Sequence, residues 1–155
     1  MDQEVWIRST SLALGYWLRG QLVPITDDQG WFHTRDRGAM EQGELRIIGR
    51  LDNLFFSGGE GVQPEDVERV FAAHPQVLQV FIVPIDDEEF GQRPVAVVDL
   101  EGELTLEGLM LWAQDRLANF QRPIAALALP DELKNGGIKI SRRRLQQWAS
   151  SQLQA

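Results

Sequence analysis

The sequence has 155 residues, a net charge of −8 at neutral pH and no cysteine, and its hydrophobic and charged fractions are ordinary at 43% and 25%. A chain of this length can build one sizeable core, or one domain with an appendage. The acidic balance argues against nonspecific binding of nucleic acid, which needs a basic surface. The absence of cysteine excludes disulfides, thiolate metal sites and a cysteine nucleophile. No apolar run approaches the roughly 18 residues of a membrane span, and no signal peptide is recognisable, so we expect a cytosolic protein.

The first third of the chain predicts short β-strands. Residues 4–8 alternate between apolar and polar side chains, and two further strand-like runs at 31–38 and 44–49 flank a hairpin turn at 41–43. These runs carry exposed aromatic residues and few core aliphatic ones, so this region looks unfinished as a globular body.

The remainder of the chain mixes helices and strands. Pro64 begins a predicted helix over 64–73, Thr105 is an N-cap for a second helix, and Ser141 is an N-cap for a last helix with Leu145 and Trp148 facing inward. Three β-rich runs, 77–83, 94–100 and 124–129, lie between these helices, and an acidic loop at 86–89 separates the first two. The pattern predicts the α+β class, with a β-hairpin and a three-stranded sheet flanked by helices.

A junction between two bodies is predicted over residues 49–68. Arg50 and Asp52 close the strand-like run, and the glycine-rich segment 57–61 then precedes the helix that begins at Pro64. Three glycines in four residues let the backbone adopt positive φ angles and approach a neighbour closely.

This junction resembles the inter-domain hinge of the adenylate-forming enzymes, which include acyl-CoA synthetases, luciferases and peptide-synthetase adenylation domains. The family pattern is G-R-x-D, a hydrophobic pair, and then G-G-E-x-(I/V)-x-P-x-(E/D)-(V/I)-E. The residues that match it are Gly49, Arg50, Asp52, Gly58, Gly59, Glu60, Val62, Pro64, Asp66, Val67 and Glu68. Within the family, the phrases at 55–61 and 133–142 most resemble one bacterial acyl-CoA ligase.

The resemblance implies that residues 1–50 are the tail of a large amino-terminal adenylation domain and that residues 51–155 form the small carboxy-terminal lid. It implies a two-step reaction: ATP activates a carboxylic acid as an acyl-adenylate, and CoA then forms the thioester. Mg²⁺ is implied for the first step, with its site outside this chain. Because the resemblance covers the last third of such an enzyme, we expect this chain alone to be inactive.

Two alternatives remain open from the sequence. The lid could serve a different acid, since the residues that select the acid lie outside this chain, or it could be a stand-alone accessory domain without catalysis. For residues 1–50 without their domain, we expect either disorder or pairing with another copy through unpaired strand edges.

Lys139 is the candidate catalytic residue. The resemblance implies that it reaches the active site during adenylation, where an ammonium binds the substrate carboxylate and the α-phosphate. From spacing alone, a solvated surface lysine is the more common outcome. Ile138 replaces the glycine that the family usually has before this lysine, so Lys134 is the fallback if the register differs.

Three further polar residues, which lie near the junction, are candidate site residues. The resemblance implies that Asp36, in a T-G-D motif whose glycine is Arg35 here, accepts both ribose hydroxyls of ATP. Arg50 would be a second nucleotide contact, and Asp52 would be the hinge about which the lid rotates. Without the resemblance, these residues predict a local ion-pair cluster and an ordinary turn aspartate.

Gly58 and Gly59 are implied to line the tunnel for the pantetheine arm of CoA, where a Cβ would obstruct the passage. A tight hairpin is the alternative reason for both glycines. They do not form a P-loop, because no G-K-(S/T) follows them. No group of residues in the sequence predicts a metal site.

Overall fold

A computed structural model describes residues 3–134 and 140–154 of the chain. The chain divides into two compact units, Met1–Asp52 and Asn53–Ala155. The sequence placed this division two residues earlier. Among the described residues, no helix is long and apolar enough to cross a membrane.

The described residues of the first unit form five strands. Its elements are β1 (Gln3–Ile7), β2 (Gly15–Leu18), β3 (Gln21–Pro24), β4 (Phe32–Glu41) and β5 (Glu44–Arg50). Strand β4 lies between β1 and β5 in an antiparallel sheet, and β2 pairs with β3 as a separate hairpin. The turn between β4 and β5 is confirmed: Gln42 and Gly43 both have positive φ, which matches the twist of a two-residue hairpin.

Burial in the first unit is low. Among its described residues, the buried positions are the two glycines Gly38 and Gly49. Large apolar side chains are instead exposed, including Leu14 at 82% and Trp17 at 71%. The predicted shortage of core aliphatic residues is therefore confirmed.

The described residues of the second unit form a five-stranded sheet and four α-helices. Its elements are β6 (Phe55–Ser57), β7 (Glu60–Val62), α1 (Pro64–Ala72), β8 (Val77–Asp87), β9 (Gly91–Leu100), α2 (Leu106–Gln114), β10 (Ala126–Ala128), α3 (Asp131–Lys134) and α4 (Arg142–Gln154). The mixture confirms the predicted α+β class.

Strand β9 is the centre of this sheet. It pairs with β8 along one edge in antiparallel register, and along its other edge with β10 in parallel and with β6 at a single pair, Ser57 with Gly91. The hairpin of β6 and β7 thus joins the sheet. Strand β8 extends into the predicted acidic loop as far as Asp87, and β9 begins at Gly91, three residues before the predicted run. Asp87 accepts hydrogen bonds from the backbone N–H groups of Glu89 and Phe90 and forms the turn there.

Helices cover both faces of the sheet. Ala96 and Val98 of β9 belong to the core that α1 and α2 complete with residues such as Phe71 and Leu109. The alternate residues Val95 and Val97 face the second core, to which α4 contributes Leu145 and Ala149. Burial on both faces explains why the middle of β9, residues 94–98, is an uninterrupted apolar run.

The predicted helix starts are confirmed by local geometry. The Thr105 hydroxyl accepts a hydrogen bond from the backbone N–H of Gly108 at 3.0 Å, and Pro64 occupies the first position of α1. The Ser141 hydroxyl accepts from the N–H of Arg144 at 3.4 Å, a longer bond at the start of α4.

Candidate functional site

Four charged residues form one cluster at the end of the first unit. The guanidinium of Arg50 donates to Oδ1 of Asp36 and to Oδ2 of Asp52, each at 3.0 Å. Arg35 donates from Nε to Oδ1 of Asp52, also at 3.0 Å. The structure therefore brings the two candidate nucleotide-binding residues and the candidate hinge residue into one ion-pair chain, which we call the charged cluster (Arg35, Asp36, Arg50 and Asp52).

Strand pairing assembles the charged cluster. Asp36 on β4 lies opposite Arg50 on β5 in the antiparallel register, and Asp52 follows directly in a short 3₁₀ turn over Leu51–Asn53. The cluster was the alternative that the sequence predicted for these residues. An ion pair in the free protein does not exclude contact with a nucleotide, so the nucleotide role of Asp36 and Arg50 stays a prediction.

Arg35 adopts the backbone conformation that a glycine would favour. Its φ is +63°, in the left-handed region, and the pairing of β4 with β1 shifts register at this point. The N–H of Arg35 donates to Glu4 Oε1 at 2.9 Å, and the Thr34 hydroxyl donates to the carbonyl of Val5 at 2.7 Å. The replacement of the family's glycine thus keeps a glycine-like turn, and tertiary hydrogen bonds offset the strain, which is about 1–2 kcal/mol for a left-handed residue.

The electrostatics of Asp52 follow from its two arginine partners. Hydrogen bonds from Arg50 and then Arg35 lower the pKa of Asp52 below its ordinary value, against the opposing effect of burial. Asp52 is therefore ionised at neutral pH. Its side chain is 49% exposed, so the pairs are partly screened by solvent.

The two candidate CoA-tunnel glycines occupy the turn between β6 and β7. Both have positive φ, +58° for Gly58 and +85° for Gly59, as a two-residue hairpin requires. The N–H of Gly58 donates to the carbonyl of Phe90 at 2.9 Å, and a Cβ on Gly58 would lie 3.0 Å from the Phe90 ring. A Cβ on Gly59 would meet no atom within 4 Å. Hairpin geometry accounts for both glycines, and their place in a tunnel stays a prediction.

The candidate catalytic residue Lys139 lies outside the described residues. Its fallback, Lys134, is described at the end of α3, where its ammonium contacts Asp99 Oδ1 at 2.8 Å and Asp131 Oδ1 at 3.0 Å. Hydrogen bonds to Asp99 and Asp131 raise the pKa of Lys134. An ammonium held by two carboxylates within its own unit is a poor candidate for substrate binding, and the role of Lys139 stays a prediction.

Arg142, at the first position of α4, forms a polar contact across the second unit. Its guanidinium donates to both carboxylate oxygens of Glu68 on α1 and, at 2.8 Å, to the carbonyl of Ile82 on β8. Sequence reasoning noted Arg142 and Glu68 separately, within two motifs, but did not pair them. Nor did it assign Arg35 to Asp52. In each case the partners come together only through the tertiary fold.

Within 3–134 and 140–154, no group of three or more His, Asp or Glu residues is arranged to hold a metal ion. The resemblance places the Mg²⁺ site outside this chain, and no step is assigned to a metal here.

Comparison with known proteins gives a consistent result. The model for the AMP-binding enzyme C-terminal domain matches residues 66–137. The 2-succinylbenzoate–CoA ligase of Escherichia coli is 60% identical over 152 residues, which are 98% of this chain and 33% of that protein. Residues 66–137 therefore belong to the AMP-binding enzyme C-terminal domain family, and the chain is similar to this ligase along nearly its whole length.

Further relatives match over similar lengths. The 2-succinylbenzoate–CoA ligase of Haemophilus influenzae is 50% identical over 96% of this chain. Among solved structures, a variant of E. coli MenE with bound OSB-AMS has a TM-score of 0.89 at 60% identity and covers 96% of this chain and 32% of that one. A fatty acyl CoA synthetase from Mycobacterium tuberculosis has a TM-score of 0.66 at 30% identity and covers 97% of this chain. The chain spans about a third of the length of the curated relatives it matches.

Proposed function

We propose that this chain is the carboxy-terminal portion of a 2-succinylbenzoate–CoA ligase. The ligase would join the acid to CoA in two steps, through an acyl-adenylate, as one reaction of menaquinone biosynthesis in the cytoplasm. The observation that carries the proposal is the 60% identity with the E. coli ligase along 98% of the chain, across both units. The phrases at 55–61 and 133–142, which resemble this same ligase, add to it.

The proposal assigns the adenylation step to three residues. Lys139 would bind the acid carboxylate and the α-phosphate of ATP as negative charge develops there. Asp36 would accept the ribose hydroxyls with its two carboxylate oxygens, and Arg50, which already contacts Asp36, would add a cationic donor near the nucleotide. ATP and the acid would reach these residues from the amino-terminal domain, which is the partner that the proposal requires.

The thioester step uses a different part of the lid. Rotation about Asp52 would withdraw Lys139 and present the hairpin of β6 and β7, whose glycines would line the passage for the pantetheine arm of CoA. Asp52 suits a hinge because it lies in a short 3₁₀ turn at a strand end, at the division between the two compact units. The CoA thiol would then attack the acyl-adenylate and release AMP.

A lid that serves another acid is the second candidate function. The 30% identity with the M. tuberculosis fatty acyl CoA synthetase over 97% of the chain favours it. That synthetase has matching residues for both units, and its name specifies a different acid. The identity of 60% with the 2-succinylbenzoate ligase makes it the weaker choice. A non-catalytic accessory domain is weaker still, since it would not need Lys139, Asp36 and Asp52 together.

A chimera tests the proposal. This chain would replace the matching third of the E. coli 2-succinylbenzoate–CoA ligase, and the chimera would be supplied with 2-succinylbenzoate, ATP, Mg²⁺ and CoA. We expect CoA-ester formation within about tenfold of the parent enzyme. A folded chimera that forms no adenylate would contradict the proposal. Turnover by the 155-residue chain alone would contradict the requirement for an amino-terminal domain that binds ATP and the acid.

Substitution of Lys139 separates the two steps. In the chimera, Lys139→Ala should lower adenylate formation by at least about 10²-fold, because a charged transition-state contact is lost. Thioester formation from supplied acyl-adenylate should be nearly unchanged. Lys134→Ala is the matched control and should leave both rates within a few-fold. Equal loss of both steps in Lys139→Ala would remove the assigned role.

A further inference from the structure

Arg142 closes a polar network between three elements of the second unit. Its guanidinium donates to both oxygens of Glu68 and to the carbonyl of Ile82, and Glu68 in turn accepts the N–H of Ile82 at 2.8 Å. The side chains of Arg142 and Glu68 are only 27% and 15% exposed. The network therefore ties the start of α4 to α1 and β8 in a partly buried setting, where charged hydrogen bonds are strong.

The network provides hydrogen-bond partners for backbone groups at the edge of β8. Strand β8 pairs with β9 along one edge, and the N–H and carbonyl of Ile82 bond instead to Glu68 and Arg142 at the opposite edge of the strand. Backbone groups at such an edge need partners when they are partly buried. Glu68 and Arg142 supply one acceptor and one donor, and they neutralise each other. A lysine could not reproduce this arrangement, because it lacks the planar set of donors.

The segment 135–139 is bounded on both sides by residues held in ion pairs. On its amino-terminal side, Lys134 contacts Asp99 at the end of β9 and Asp131 on α3. On its carboxy-terminal side, Arg142 contacts Glu68 and Ile82. The two sets of partners lie on different elements of the same unit, so the chain enters and leaves this segment at two defined places.

We propose that Arg142 is a positioning residue for the adenylation step, which rests on the proposed function of Lys139. Lys139 precedes Arg142 by three residues, so the place where Arg142 is held restricts where Lys139 can reach. A displacement of about 1 Å at a reacting group can cost about 10²-fold in rate. The thioester step does not use Lys139, so loss of the Arg142 contacts should affect the two half-reactions unequally.

The test uses the chimeric ligase described above. Arg142→Ala should lower the rate of adenylate formation, measured by pyrophosphate release, by about 10–100-fold. Thioester formation from supplied acyl-adenylate should stay within about threefold. Arg142→Lys should recover part of the loss, since it restores the charge without the bidentate geometry. Arg143→Ala is the matched control, because Arg143 is an exposed arginine in the same helical turn, and it should leave both rates unchanged.

A second variant covers the case in which Arg142→Ala does not fold. Glu68→Gln keeps the side-chain shape and an acceptor for the N–H of Ile82 but removes the negative charge opposite Arg142. Like Arg142→Ala, it should lower the rate of adenylate formation. The double variant Arg142→Ala, Glu68→Gln should be no slower than Arg142→Ala, because both changes break one network.

The outcomes distinguish this inference from the proposed function. An active chimera in which Arg142→Ala and Glu68→Gln both keep the full adenylation rate overturns the positioning role alone. Equal slowing of both half-reactions also overturns it, since that is the result of general destabilisation. A folded chimera that is inactive before any substitution overturns the proposed function instead. Selective slowing of adenylation, with partial rescue by Arg142→Lys, supports the inference.

Discussion

The two units of this chain use β-structure in opposite ways. In the second unit, β9 is buried on both faces, and side chains such as Phe71 are completely enclosed. In the first unit, β2 and β3 form a regular hairpin in which every described side chain is half-buried or exposed, Trp17 among them at 71%. Strand pairing alone buries backbone polar groups but not apolar surface. Since apolar burial is the main source of stability, we expect the stability of this chain to lie in its second unit.

Separate expression of the units should give the largest contrast. A peptide of residues 53–155 should unfold cooperatively on heating, because its two apolar cores lie within that range. A peptide of residues 1–52 should show no cooperative transition, by circular dichroism, when it is monomeric. Size-exclusion chromatography of residues 1–52 would detect pairing with another copy through strand edges. A monomeric 1–52 peptide that melts cooperatively would contradict the comparison.

A matched pair of phenylalanines gives the next largest effect. Phe71→Ala should destabilise the second unit by about 3–5 kcal/mol, because it removes a fully buried ring and leaves a cavity. Phe56→Ala, at a ring that is 58% exposed in the same unit, should change the stability by no more than about 0.5 kcal/mol. Urea unfolding monitored by tryptophan fluorescence measures both. Similar losses for the two variants would show that burial does not control stability here.

The smallest effect concerns two carboxylates, one in each unit. In the first unit, hydrogen bonds from Arg50 and Arg35 lower the pKa of Asp52. In the second, burial raises the pKa of Glu65, but hydrogen bonds from Gln63 and Asn53 outweigh burial and the pKa is lowered. Each carboxylate therefore stabilises the fold above its unfolded-state pKa, near 4, and loses this contribution as the pH falls through its lower folded-state value.

High salt should change the pKa values of these two carboxylates by different amounts. The partners of Asp52 are exposed charges, which 1 M salt screens strongly, so its pKa should rise toward the ordinary value. The leading partners of Glu65 are neutral amides, so its pKa should move less. Carboxyl ¹³C NMR titrations at low and high salt measure both values. A larger rise for Glu65 than for Asp52 would mean that the charges around Glu65 dominate its ionisation.

Local sequence patterns predicted most of the elements, because their causes are local. Pro64, Thr105 and the turn at 41–43 each carry their own conformational preference, and each lies where it was predicted. The edges of β8 and β9 were not predicted, since Asp87 and Gly91 look like loop residues. Asp87 and Gly91 nevertheless belong to the strands, because they are the last residue pair before the hairpin turn and the strand pairing extends up to that turn.

The candidate site was predictable in part. The charged cluster brings together Asp36, Arg50 and Asp52, which the family resemblance had already singled out. Arg35 had looked only like a substitution for a glycine, yet it contacts Asp52 and keeps the positive φ of that glycine. The contact between side chains seventeen residues apart produces no periodic pattern in a single sequence, so it could not be predicted.

The sequence by itself determined the family resemblance, the α+β class and the choice of candidate residues, because motif order and local propensity are properties of contiguous residues. Only the tertiary structure decided that Glu68 holds Arg142 across 74 positions and that Lys134 is tied to Asp99. It also decided that β10 runs parallel to β9. The physical reason is the same in each case: ion pairs and strand pairs depend on distance in space, which packing of the apolar cores sets.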